Sequence, residues 1–134
     1  KEVIMREKLT NVADKSAIFL SALCIVHCLI LPILIIAMPA ISAIGFLTDE
    51  HFHELLIFFI IPISAMALVS SFIKLKDLRV FYFVVVGILL VTLAAFIGHD
   101  VFGHVGEVIA TVIGSLLIAY GHTKNLLMRK QSLA

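Results

Sequence analysis

The sequence predicts an all-α integral membrane protein, a four-helix bundle with both termini in the cytoplasm. Three observations carry that expectation: an apolar excess that a water-facing surface does not need, four long stretches almost without charge, and connecting segments whose charge alternates in sign. The 134 residues are 62% hydrophobic and 14% charged, with a mean hydropathy of +1.18. A typical soluble domain is roughly 45–50% apolar and about 25% charged. The length fits one domain. A net charge of +1, without a clustered basic face, excludes nucleic acid as the expected partner. Cys24 and Cys28 lie inside an apolar run, so they do not form the loop-borne disulfide framework of a small secreted domain. The first fifteen residues are polar and the apolar run after Lys15 is too long for a signal-peptide core, so no cleavable signal is expected.

A bilayer core about 30 Å thick takes roughly 20 apolar residues in a helix. The charge-free stretches place the spans at about 16–42, 53–73, 79–98 and 104–128. Helices are required, despite the many Val and Ile residues, because lipid leaves no other partner for backbone polar groups. The first span contains Pro32 and Pro39, the second Pro62. Each proline lacks the N–H that would bond the carbonyl four residues earlier, so Cys28, Ile35 and Phe58 are left with free carbonyls and both helices are expected to kink. The third span ends at Gly98, and the fourth is interrupted by Glu107, His122 and Lys124.

The connecting segments orient the spans. Lys1, Arg6, Lys8 and Lys15 precede the first, Lys74, Lys76 and Arg79 join the second to the third, and Arg129 and Lys130 follow the fourth. The other two connections hold no Lys or Arg but carry Asp49, Glu50, His51, His53 and Glu54, and His99, Asp100 and His104. By the positive-inside rule the basic segments are cytoplasmic. The histidine and acid segments then face the periplasm of a bacterial inner membrane.

The first span carries Cys24-Ile25-Val26-His27-Cys28, two thiols one helical turn apart with an imidazole between them. Thiolate and imidazole suit Hg²⁺, Zn²⁺ or Cu⁺, and the (i, i+4) spacing directs both sulfurs to one face. At 1.5 Å per residue from Ser16, Cys24 is about 12 Å inside the membrane. A lone cysteine there is ordinarily a small apolar packer. His27 favours the ligand reading, because an ionisable group within a span is costly unless it is satisfied or used. A Cys24–Cys28 disulfide is disfavoured, since residues four apart on a helix hold their Cβ vectors in a poor relation for bridging.

Asp14, Ala17, Ser21, Cys24, Cys28 and Pro32 fall on one arc of the first helix, and His104, Glu107, Thr111, Ser115 and His122 on one face of the fourth. Facing each other, these stripes would line an ion route, with His122 at about the depth of Cys24 completing its site and Asn125 orienting the imidazole. The bland alternative is that small residues simply let the helices approach closely. His51 and His53 beside Glu50 and Glu54, and His99, Asp100 and His104 beside Glu107, are candidates to collect the cation outside, although surface histidines are often merely solvated.

Asp14-Lys15, Ser21, Cys24-x-x-His27-Cys28, Pro32, Pro39, His53 and the closing Gly121-His122-Thr123-Lys124-Asn125 resemble the MerC-domain proteins, four-span membrane proteins named for mercury resistance. The resemblance covers nearly the whole chain, and the cysteine segment and the closing segment are its specific parts. It implies inner-membrane uptake of Hg²⁺ with Cys24 and Cys28 as ligands. Two departures stand out: there is no cysteine after Cys28, where such transporters carry further ones, and His27 adjoins the pair. Imidazole donors keep Zn²⁺ and Cu⁺ beside Hg²⁺ as candidate ions.

The expected function is therefore transport or binding of a soft or borderline metal ion, without catalysis. The partners are the lipid bilayer and the ion, and a homodimer would thicken the wall of so small a conduit. One alternative is a redox protein holding b-type haem between His27 and His122; c-type attachment is excluded by the lack of Cys-x-x-Cys-His. A second is a zinc-dependent intramembrane hydrolase built on His99, Asp100, His104 and Glu107.

Overall fold

The protein is described here from a computed structural model covering residues 1–38, 51–75 and 77–133. Among these residues all regular structure is helical. Helix α1 spans Glu2–Ala37, α2 His51–Leu75, α3 Leu78–Leu93 and α4 His99–Leu133, with a π-helical turn at Ala94–Gly98 closing α3. The expected kink-forming Pro39 lies outside the described residues; α1 and α2 run on through Pro32 and Pro62.

Helix α1 begins well before the expected residue 16. Its first turns bury Thr10 and Ala13, while Val3, Ile4, Met5, Leu9 and Val12 are exposed together with Arg6 and Lys8. At 36 residues it is about 54 Å long by helical rise, so part of it projects past a 30 Å core. The Asp77 side chain caps α3 by accepting from the Arg79 N–H at 2.8 Å. Within α4 the helix is broken at Gly103, whose φ of 68° marks a kink between the short segment from His99 and the long one that follows. That left-handed conformation strongly favours glycine.

Among the described residues, Glu2–Ile30, Leu78–Gly98 and Asp100–Gln131 are long and apolar enough to cross a membrane, and α2 carries a shorter apolar stretch, Glu54–Val69. Large apolar side chains face outward along all four helices, Phe58 at 70% and Phe19 at 67% exposure among them. A water-soluble monomer rarely shows such a belt; lipid is its solvent, and the four helices form a multi-pass membrane bundle.

Helix α4 packs along α3 on one side and α1 on the other, and α1 also packs against α2. The α1–α4 contact is a pair of antiparallel seams. Thr10, Asp14, Ala17, Ser21, Cys24 and Cys28 on α1, and Thr111, Ser115, Ile118, His122, Asn125 and Arg129 on α4, are all buried. Their steps alternate four and three, the spacing that keeps one stripe on one partner. Most of these residues are small or polar, as expected where packing and hydrogen bonds, rather than exclusion of water, hold helices together in lipid.

The α3–α4 contact depends on glycine. A Cβ on Gly114 would lie 2.7 Å from Val91 Cγ2 and 2.8 Å from the Gly87 carbonyl oxygen, and one on Gly87 would lie 2.7 Å from the Gly114 oxygen. Gly114→Val should force the helices apart and destabilise the bundle by on the order of 1–3 kcal/mol. A lowered melting temperature of the protein in detergent would register it; an unchanged one would mean that the helices separate at no cost.

Candidate functional site

The two cysteines occupy adjacent turns of the α1 seam, both buried and neither in a disulfide. The Cys24 thiol lies against the Cys28 thiol and beside the Ser115 hydroxyl of α4, and the Glu107 carboxylate is close enough to act electrostatically on Cys28. Leu56 of α2 and Val108 and Val112 of α4 wall the pair. Ser21, one turn before Cys24, is fully buried, and its hydroxyl has no hydrogen-bond partner among the described residues. His27 is only half-buried. Among the described residues no three of His, Cys, Asp and Glu converge, so the donors at this point are two thiols with hydroxyls nearby.

A second polar cluster lies toward the opposite end of the same seam. The Asp14 carboxylate is fully buried. It accepts from His122 Nδ1 at 2.7 Å, from Asn125 Nδ2 at 3.0 and 3.1 Å on its two oxygens, and from the Arg129 guanidinium. A carboxylate beside a guanidinium only accepts, so His122 carries its proton on Nδ1. Nε2 lies 3.0 Å from the Ser64 hydroxyl of α2. His122, Asn125 and Arg129 stand at i, i+3 and i+7, so a single face of α4 delivers all three donors. Three helices are thereby tied through one carboxylate.

This register corrects the expected place of His122. Both its ring nitrogens are engaged by Asp14 and Ser64, and Cys24 lies ten residues along α1 from Asp14, about 15 Å by helical rise. His122 thus sits nearly three turns away from the nearer thiol rather than at its depth. The physical reason is the Asp14 carboxylate, which fixes how far α4 slides along α1. Asn125 serves the carboxylate and not the imidazole. The haem reading needs His27 and His122 on one iron, yet His27 is thirteen residues beyond Asp14, about 20 Å. Asp14, His122 and Ser64 are connected in the order of a nucleophilic triad, but Ser64 is fully buried.

Of the outer candidates, Asp100 and His104 are exposed near the start of α4, and Glu107 is half-buried. His51 and His53 begin α2 and His99 begins α4; their side chains, with Asp49 and Glu50, lie outside what the structure describes. Two participants in the carboxylate cluster escaped the sequence reading. Arg129 counts there as a flanking positive charge, although its seven-residue offset from His122 was the available signal. Ser64, within an apolar stretch, carried none.

The fold and its seams define a multi-pass membrane protein with a pair of thiols in its interior and a charged cluster near one end. The family model described as MerC mercury resistance protein matches residues 14–127, most of the chain, and the chain belongs to that family. It is accordingly a membrane protein of the mercury-resistance class. Comparison with curated proteins and with solved structures finds no match.

Removing one member of a buried ion pair strands the other, at roughly 3–5 kcal/mol. Asp14→Asn and Arg129→Gln should each destabilise the bundle on that order, and the double variant by clearly less than the sum. Unfolding of the four proteins in micelles gives the coupling directly; strictly additive losses would show that the pair is not an energetic unit.

Proposed function

We propose that the chain carries a soft metal ion, Hg²⁺ foremost, across the bacterial inner membrane, with Cys24 and Cys28 as its ligands and both termini in the cytoplasm. The observation that supports this reading is the buried thiol pair itself: two cysteines, not joined in a disulfide, side by side on the α1 seam. Soft thiolates select soft ions, and two of them suffice for an ion content with two ligands. Family membership points to the same ion. The positive-inside distribution of Lys and Arg supports the orientation.

In this reading the ion enters from the His/Asp/Glu-bearing end, where Asp100, His104 and Glu107 stand at the start of α4. The Glu107 carboxylate draws it toward Cys28. Binding breaks two S–H bonds and makes two sulfur–metal bonds, and the two protons leave to solvent, as metal capture by thiols requires. Ser115 and Ser21 line the thiols with hydroxyl groups in place of apolar wall. Release inward proceeds by exchange onto another thiol, which takes up the ion as the bonds to Cys24 and Cys28 break.

Purified protein should take up Hg²⁺ with a near-ultraviolet thiolate-to-metal band. Cys24→Ala or Cys28→Ala should weaken binding by more than about 100-fold, beyond what loss of a group outside the ligand set costs. Retention of tight binding by the double variant would sink the proposed site. His27→Ala separates a two-thiol site from a three-donor one. Hg²⁺ affinity should stay within about 10-fold; a collapse of affinity would restore His27 to the ligand set and favour Zn²⁺.

A further inference from the structure

We infer that the groove between α1 and α2 at the basic end of the bundle seats an anionic phospholipid, its phosphate on Lys15 and an acyl chain along Phe19, Leu20, Phe59 and Ile63. The groove encloses about 480 Å³, within the usual range for ligand sites. Its wall is apolar except for Ser16 and Lys15, and Lys15 is the one charged residue lining it. Lys15 and Phe19 are exposed one helical turn apart, so a headgroup and the start of a hydrocarbon tail meet their own kinds of surface in sequence.

The packing also sets the depth of Lys15. Its neighbour Asp14 is bonded to Asn125, and Asn125 shares a small cavity with Asp77. Asp77 is the N-cap of α3, where the chain has just turned round from α2. Asp14 and Lys15 are therefore level with a helix connection, which in a bilayer lies at the polar boundary. A lysine there, at the mouth of an apolar groove between two spans, meets the phosphate layer, and such basic pockets select anionic headgroups. Charge complementarity thus names the occupant.

The position bears on the carboxylate cluster. Lys15 follows Asp14 and Ile63 precedes Ser64, so an acyl chain in the groove rests on the outer sides of the two helices that His122 joins within. A seated lipid should steady that junction.

The full chain, purified in a neutral detergent, is titrated with phosphatidylglycerol or with phosphatidylcholine of identical acyl chains. Retained lipid is counted by native mass spectrometry and stability followed by melting. Phosphatidylglycerol should be retained about five-fold more strongly, the contribution of one lysine near a membrane surface, and should raise the melting temperature more than phosphatidylcholine. Lys15→Gln should abolish the preference while leaving the lipid-free melting temperature unchanged. Lys124→Gln, which removes an exposed charge from α4, should leave the preference intact. Equal retention of the two lipids overturns the inference, as does an equal loss in both variants, which would indicate diffuse charge attraction. Two further results overturn it: stabilisation reproduced by inorganic phosphate alone, and a concentration-dependent dimer that excludes lipid from the groove.

Discussion

A single buried carboxylate organises this bundle. Asp14 has no exposed surface and is met by an imidazole, an amide and a guanidinium from one face of α4. In a low-dielectric interior an unpaired carboxylate is far more costly than any packing fault, so α4 is held in the one register that presents all three donors. The imidazole extends the constraint to α2 through Ser64. The positions of the other seam residues follow from that register, because a helix that cannot slide fixes every later turn.

The thiols are the clearest consequence. With His122 opposite Asp14, the seam places Ser115 opposite Cys24 two turns further along and Glu107 near Cys28. The cysteines therefore face hydroxyls, a carboxylate and aliphatic walls, with no imidazole of α4 among them. No group of three His, Cys, Asp or Glu arises there among the described residues, and the two thiols stand together without one. What surrounds them is thus set by a contact about 15 Å away, through helix register and not through direct contact.

Much of the fold was legible in the sequence because it rests on one-dimensional signals. Uncharged runs, alternating loop charges and the breaks at Gly98 and before His104 mark helices that lipid then enforces, and the structure breaks the helix at Gly103, inside α4. The two stripes were legible as well, since helical periodicity alone sorts Asp14, Ser21, Cys24 and Cys28 onto one face. Their relative register was not. It depends on which α4 residue meets Asp14, a long-range pairing that composition and periodicity leave open. Counting depth from the expected ends of the spans set His122 level with Cys24; the hydrogen bonds shift it by nearly three turns. Arg129 was misread for a related reason, because a positive charge after a span resembles a topology signal whether or not it folds back onto a buried acid.

The seam also explains why a chain so apolar buries so few large apolar side chains along its α1–α4 contact. Leu, Ile and Phe gain nothing by leaving lipid for protein, so they line the outside, while Ala17, Ser21, Cys24, Ser115 and Thr111 occupy the contact where backbones approach. A contact made of small side chains leaves room for thiols and hydroxyls between Glu107 toward one end and the charged clasp at Asp14 toward the other. The same packing preference that builds the bundle therefore places two adjacent thiols in its interior.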